Sequence, residues 1–251
     1  SVAEELGRVH GLPVYTLGVF PGLPDDDDEG ATAVAGNAVR AVEQLAGATD
    51  AVLTFDNALW SKSGESATEQ AVWDRLNEPL VEQLSMLFAA GEGDHDRQIA
   101  ERVVDTSEVI ATFEAGGLAT LGYASQTIER PTESRFGLGL LEEEGEVEVT
   151  KLISAIETTS RRAVKRKMTV DIELETAANG LVVVGGPPEW LNRDAVADVR
   201  SWLAQETGSV EIRGGDLPAP ESDEIMLLVL LTGISDCPRM ATLRSVSRSA
   251  D

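Results

Sequence analysis

The stretch Leu53-Thr-Phe-Asp-Asn-Ala-Leu-Trp60 decides the fold, and the rest of the chain can be arranged around it. Residues 51–55 are apolar or β-branched without interruption, which is typical of a strand buried on both faces. The strand ends at Asp56 and Asn57, two residue types that favour turns. Because ligands of parallel sheets bind beyond the carboxyl ends of strands, this position is the first candidate for a binding site.

The residues before this stretch predict a strand–helix–strand unit. Residues 2–9 carry an apolar stripe at helical spacing, residues 14–20 predict a buried strand, and residues 34–45 predict a helix. Two strands joined by a helix run parallel, so the first part of the chain predicts α/β architecture. No helix cap precedes the first apolar stripe, and we therefore expect the natural protein to extend upstream of Ser1.

The residues after the central stretch predict a long helix and then an α+β region. The helix covers about residues 68–89, and Pro79 within it predicts a kink near Asn77 unless packing compensates. The change of pattern after it predicts a boundary between about residues 90 and 104. The later region predicts strands near residues 118–124, 169–174, 181–185, 209–213 and 224–233, with helices at residues 149–167, at residues 193–206 and after Pro238.

The composition indicates adaptation to high salt. Asp and Glu number 44 against 20 Lys and Arg, which gives a formal net charge of -24. Such a surface repels itself unless salt screens it, and molar salt shortens the screening length to about 3 Å. The acidic residues are spread along the whole chain, which disfavours the alternative of a local site for calcium or basic partners. The same charge speaks against nucleic-acid binding.

The residues that several common classes of protein require are missing from the sequence. A single cysteine, Cys237, excludes an internal disulfide, and two histidines, His10 and His95, are too few for a histidine-based metal site. Apolar runs are far shorter than the roughly 20 residues of a membrane span, and no leader opens the chain, so we expect a cytoplasmic protein. Neither the G-x-x-x-x-G-K-[ST] nor the G-x-G-x-x-G phosphate loop is present. The glycine pairs 185–186 and 214–215 follow predicted strands but are typical of turns rather than phosphate sites.

Residue types that can recognise a purine lie in and after the stretch at residues 53–60. Trp73 and Asn77 lie four residues apart on the predicted long helix and therefore share one face. An aromatic ring together with the carboxamides of Asn57 and Asn77 could stack a purine and match its donor and acceptor edge. The alternative is that Asn57 is a turn residue and Trp73 a core residue.

Together with several later motifs, this order of residues resembles the tubulin/FtsZ superfamily, and the haloarchaeal CetZ branch in particular. The motifs are Asp56-Asn57-Ala, Trp73-x-x-x-Asn77, and the segments at residues 103–108, 116–125, 182–192, 206–216 and 230–233. The resemblance implies the later part of a Rossmann-like GTPase domain at residues 1–66, a central core helix at residues 67–95, and an α+β activation domain at residues 96–251.

The resemblance also implies which residues meet a guanine nucleotide. It makes Asn57 and Asn77 the base-reading carboxamides, Trp73 the aromatic platform, and Glu29 the ribose-binding glutamate of the acidic loop at residues 22–30. Asn37 and Arg40, on the following helix, are expected to face the same crevice. By the family order, the glycine-rich phosphate loop precedes Ser1, and most contacts to phosphate and Mg²⁺ lie there.

Asp105 and Glu108 fall where the family has an acidic loop that enters the nucleotide pocket of the next subunit and helps to polarise the attacking water. The alternative is structural, because Asp105-Thr-Ser-Glu108 also has the form of a helix-capping box. Val103 stands where the family usually has asparagine. The resemblance therefore implies a GTPase that binds GTP or GDP and assembles head-to-tail with itself into filaments.

Two other functions remain open from the sequence. The chain could be a non-catalytic regulator that caps filaments, and a Gly-Gly-Gly-Thr-Gly-like loop upstream of Ser1 would favour the enzyme instead. A dinucleotide-binding oxidoreductase suits the α/β start, but the glycine fingerprint is missing.

Overall fold

The computed structural model describes residues 2–23, 28–61, 70–92, 104–129, 132–134, 142–144, 147–209 and 211–248. The helices are α1 Val2–His10, α2 Asp28–Ala48, α3 Asn57–Trp60, α4 Gln70–Gly91, α5 Thr106–Phe113, α6 Val149–Arg166, α7 Arg193–Thr207 and α8 Pro238–Ser247. The strands are β1 Tyr15–Phe20, β2 Ala51–Asp56, β3 Leu118–Thr127, β4 Thr132–Ser134, β5 Glu142–Glu144, β6 Asn179–Gly186, β7 Glu211–Pro218 and β8 Glu224–Ile234. None of the described helices is both long and apolar enough to cross a bilayer.

A mixed sheet organises the molecule. Its strands lie in the order β1-β2-β3-β8-β6-β7, and β4 and β5 form a separate hairpin. β1 and β2 are parallel from Tyr15 opposite Ala51 to Phe20 opposite Asp56, which confirms the predicted strand–helix–strand unit. β8 runs antiparallel to both β3 and β6, and β7 runs parallel to β6. The sheet is therefore continuous from the predicted nucleotide-binding part into the predicted activation part.

The junction between these two parts is short, and it is completed by a segment for which the sequence predicted a strand. β2 and β3 pair only at Val52 with Leu118 and at Leu53 with Ala119. Beyond that point Thr169 lies between the diverging strands: its N–H donates to Leu121 O at 2.7 Å, and its carbonyl accepts from Asp56 N at 2.8 Å. The predicted strand at residues 169–174 is wrong, because these backbone groups bridge two strands instead of extending the sheet.

The long helix α4 crosses the sheet and continues through Pro79. Its last turns bury Met86, Leu87 and Ala90 in a core that also contains the β6 residues Leu181 and Val183. This packing compensates for the backbone hydrogen bond that an interior proline removes.

β1 departs from its prediction as a fully buried strand. Gly18 and Phe20 face inward, whereas Leu17 and Val19 are 40% and 49% exposed. Phe20 packs with Ala35 and Val39 of α2, whereas Leu17 lines an open groove on the other face of the strand.

Candidate functional site

The carboxyl ends of β1 and β2 form the sheet edge that carries the first candidate residues. Phe20 is opposite Asp56, so the two strands end together. Asn57 follows directly as the first residue of α3 and is half-buried. Glu29, predicted within an acidic loop, lies instead in the first turn of α2 with an exposed side chain. Carboxylates are stabilised by the dipole at a helix N-terminus, which explains why the helix begins earlier than its apolar pattern indicates.

A buried ion pair that the sequence did not predict fixes this edge. Asp56 caps α3 by accepting a hydrogen bond from Ala58 N at 3.0 Å, and its Oδ1 lies 3.3 Å from Arg239 Nε. Both side chains are almost excluded from solvent. Arg239 also donates to Pro21 O at 2.6 Å, so α8 holds the ends of both strands. Burial raises the pKa of Asp56, and the positive charge of Arg239 opposes that rise.

Trp73 and Asn77 lie one turn apart on α4 and are both accessible. Trp73 is 39% exposed, which argues against the alternative of a core residue, and Asn77 is exposed. Between them Arg75 donates from Nη1 to Trp60 O at 3.4 Å, which ties this part of α4 to α3, the helix that begins with Asn57. The structure thus brings the segments that carry the two carboxamides and the aromatic ring against each other; the base-reading role stays a prediction.

Asn37 and Arg40 lie on the exposed side of α2. Arg40 Nη2 donates to Asn37 Oδ1 at 2.6 Å, so these two side chains contact each other. Their predicted place in the crevice stays a prediction.

The second group of candidates lies at the start of α5. Asp105 Oδ1 accepts from the backbone N–H of Ser107 at 2.8 Å and of Glu108 at 3.1 Å, and also from Ser107 Oγ at 2.6 Å. Asp105 is therefore the N-cap of α5, as the capping alternative predicted. Glu108 lies in the first turn and is half-buried. Val103, the position that departs from the family pattern, lies outside the described residues.

The two groups of candidates are far apart in one molecule. Thr106 Oγ1 donates to Gly91 O, so the start of α5 is attached to the last residue of α4. Asn77 is fourteen residues before Gly91 on that helix, and a rise of 1.5 Å per residue separates them by about 20 Å. Asp105 and Glu108 therefore cannot reach a base held at Asn77 of the same chain.

The glycine pairs do not form phosphate loops. Gly185 and Gly186 lie in β6 opposite Leu217 and Pro218 of β7. Gly214 and Gly215 lie in β7 opposite Val182 and Val183 of β6. Within the described residues, no group of three or more His, Cys, Asp or Glu side chains is arranged to hold a metal ion. The carboxamides of Asn57 and Asn77 and the ring of Trp73 are of the types that can pair with and stack on a purine, and this role stays a prediction.

This arrangement of sheet and long helix is that of tubulin-like proteins. The structure is similar to CetZ1 from Haloferax volcanii, solved as a GDP-bound monomer, with a TM-score of 0.78 and 32% identity over 99% of this chain and 64% of that one. It is similar to CetZ2 from the same organism, solved as a GTPγS-bound protofilament, with a TM-score of 0.79 and 33% identity over the same shares.

The sequence comparisons agree with the structural ones. Residues 64–249 match the family "Tubulin-like CetZ, C-terminal domain". The tubulin-like protein CetZ5 of Haloferax volcanii is 41% identical over 100% of this chain and 62% of its own length. The chain belongs to the tubulin-like CetZ family, and it spans less than two thirds of the relatives that it matches.

Proposed function

We propose that the complete protein is a cytoskeletal GTPase that binds GTP and assembles head-to-tail into cytoplasmic filaments. In this proposal, Asn57 and Asn77 read the guanine base, Trp73 stacks on it, and Glu29 holds the ribose. The accessibility of Trp73 and Asn77 and their attachment to α3 through Arg75 support the base site. The relatives solved with GDP and with GTPγS support a guanine nucleotide as the ligand.

The separation of the two candidate groups carries the rest of the proposal. Asp105 and Glu108 lie at the end of α4 that is opposite the base site. In a head-to-tail polymer, opposite ends of neighbouring subunits meet, and such a heterologous contact continues as an open filament. Glu108 of one subunit then orients water against the γ-phosphate held by the next, so that hydrolysis requires assembly. Mg²⁺ and most phosphate contacts belong to residues outside this chain.

Asp105 caps α5 and Glu108 is half-buried in its first turn, so we assign the two residues different roles. Asp105 Oδ1 is engaged with the first turn of α5, which orients the helix start and with it the side chain of Glu108. We therefore assign the contact with water to Glu108 and the positioning of the loop to Asp105.

Replacing Glu108 tests the enzymatic part of the proposal. In the complete protein, Glu108→Ala is expected to lower GTP turnover by about 100-fold or more, the usual contribution of a positioned acid–base group. Nucleotide binding and filament formation should persist, because the residue lies far from the base site of its own chain. The matched control is Glu114→Ala, an exposed carboxylate at the other end of α5, which should hydrolyse GTP at the parental rate.

The control also separates the proposal from its alternative. Turnover by Glu108→Ala at the rate of the Glu114→Ala control would reduce Glu108 to a helix-start residue. Absence of turnover in the parental protein, under conditions in which it binds GTP and forms filaments, would favour a non-catalytic filament regulator.

A further inference from the structure

The helix α3, which begins with Asn57, is too short to hold its own position. It has four residues, of which Asn57 and Trp60 are half-buried and the two between them are exposed. Isolated helices shorter than about 12–15 residues are marginal in water, because the first turn costs more conformational entropy than its hydrogen bonds return. The place of the Asn57 side chain therefore depends on the contacts that hold the two ends of α3.

The first turn of α3 is held through Arg239 of α8. Asp56, the N-cap residue, accepts a hydrogen bond from Ala58 N at 3.0 Å, and the same carboxylate oxygen lies 3.3 Å from Arg239 Nε. The side chains of Arg239 and Asp56 are only 13% and 8% exposed, so solvent and salt screen this pair weakly. The guanidinium thus fixes the carboxylate, and the carboxylate fixes the turn in which Asn57 follows it.

Arg239 also reaches the end of the neighbouring strand. Its Nη2 donates to Pro21 O at 2.6 Å, directly after β1. The helix that carries Arg239 is itself anchored, because Leu243 of α8 and Val39 of α2 belong to one buried core. One guanidinium therefore spans two chain connections, the one after β1 that leads to α2 and the one after β2 that leads to Asn57.

The other end of α3 is held independently of Arg239. The Trp60 ring stacks on Phe55 of β2 with 5.9 Å between the ring centres, and Lys167 Nζ lies 5.3 Å from the centre of the Trp60 ring. Arg75 Nη1 donates to Trp60 O at 3.4 Å. Loss of Arg239 should therefore displace the first turn, where Asn57 lies, without detaching α3 from the sheet.

We infer that Arg239 is a positioning residue for base recognition, which sets the place of the Asn57 carboxamide and thereby the preference for guanine over adenine. The inference rests on the base-reading role proposed above for Asn57. Hydrogen bonds weaken steeply as their angles depart from linearity. A displaced carboxamide therefore loses the partner that it was placed to match, and the site loses part of its selectivity. The selectivity of the base site is then set partly from α8, a helix that does not carry any of the proposed base-reading residues.

The selectivity of the complete protein between GDP and ADP tests this role. Each diphosphate displaces a fluorescent GDP analogue in molar KCl, and the ratio of the two dissociation constants gives the preference for guanine. Arg239→Met should lower this preference about tenfold, the effect of one lost hydrogen bond to the base, with the affinity for ADP near its parental value. The matched control is Arg244→Met on the same helix, which removes an exposed ion pair with Glu43 and should keep the parental preference.

A double variant separates positioning from a general loss of structure. If Arg239 acts through Asn57, Arg239→Met should lower the preference no further in a protein that already carries Asn57→Ala. A purely structural role would weaken GDP and ADP binding alike, and it would do so in both backgrounds.

Arg239→Lys keeps the test decisive should Arg239→Met fail to fold. Lysine retains a positive charge beside Asp56 but lacks the planar guanidinium that also reaches Pro21 O. The variant, checked for folding by near-UV circular dichroism, should have a preference for guanine between those of the parental protein and of Asn57→Ala.

Two sets of results would contradict the inference, and they can be told apart. The parental preference in Arg239→Lys, or a loss from Arg239→Met that is as large in the Asn57→Ala background as in the parental one, would overturn the positioning role and leave the base site standing. Equal affinities of the parental protein for GDP and ADP, or the parental preference in Asn57→Ala, would contradict the base site itself and the positioning role with it.

Discussion

At the scale of single residues, Asn77 is the most direct test of the base site. Its carboxamide is exposed on α4, one turn after Trp73. In the complete protein, Asn77→Ala should weaken GTP binding by about 1–3 kcal/mol, or about 5- to 150-fold, because the base is left with unmatched buried polar groups. Calorimetry in molar KCl measures the change.

Ser85→Ala provides the matched control for Asn77. Ser85 is exposed and lies about two turns further along α4, so its loss changes the same helix without touching the predicted base contact. Equal GTP affinities of the two variants would remove Asn77 from the site.

Residues differ in how far the sequence could predict them. The capping role of Asp105 was predictable, because an N-cap and its partners are adjacent in the chain. The pairing of Asp56 with Arg239 was not, since the two residues lie at opposite ends of the sequence and meet only when α8 packs over the strand ends. The role of their neighbour Asn57 stays a prediction, because a lone asparagine after a strand is also typical of turns.

At the scale of elements, the Asp56–Arg239 pair should determine how firmly α8 holds the carboxyl ends of β1 and β2. Breaking a buried ion pair leaves an uncompensated charge, so Arg239→Met should lower the free energy of unfolding by about 3 kcal/mol at neutral pH. Urea unfolding in molar KCl measures this loss. The control is Arg244→Met, on the same helix as Arg239. It removes an exposed ion pair with Glu43 of α2, and it should lower the free energy of unfolding by less than about 1 kcal/mol.

The cost of losing Arg239 should also depend on pH in a definite direction. Burial holds the folded pKa of Asp56 above its ordinary value of 3.8, and Arg239 opposes that rise. A raised folded pKa means that stability is fully present below the ordinary value and is lost as pH rises through the folded one. Removal of Arg239 raises the pKa further, so the destabilisation should be larger at neutral pH than near pH 4. A pH-independent cost, or failure of Asp56→Asn to reduce it, would contradict this explanation.

The strand prediction that was wrong concerns a segment whose structure depends on tertiary contacts. Residues 169–174 are of types that favour strands. Because the β2–β3 pairing is short, however, backbone groups of Asp56 and Leu121 form hydrogen bonds with Thr169 instead. The strands β6 and β8 were predictable because their apolar runs are continuous and buried on both faces.

At the scale of the whole molecule, the net charge of -24 makes stability depend on salt. Lowering KCl from molar to about 0.1 M lengthens the screening range from about 3 to about 10 Å, so carboxylates that were independent begin to repel one another. The melting temperature of the chain should therefore fall steadily over this range. A melting temperature that does not change with KCl would contradict the adaptation to high salt.

GTP turnover in mixed filaments of Glu108→Ala and Asn77→Ala subunits tests the central claim most directly. Each variant alone lacks one half of every composite site, and both should be slow at GTP concentrations that saturate only an intact base site. In an equal mixture, about one quarter of head-to-tail contacts pair an intact base site with an intact Glu108 of the neighbour. The account predicts that turnover recovers to about one quarter of the parental rate. A mixture that co-assembles yet hydrolyses GTP only at the mean rate of the two separate variants would contradict action between subunits.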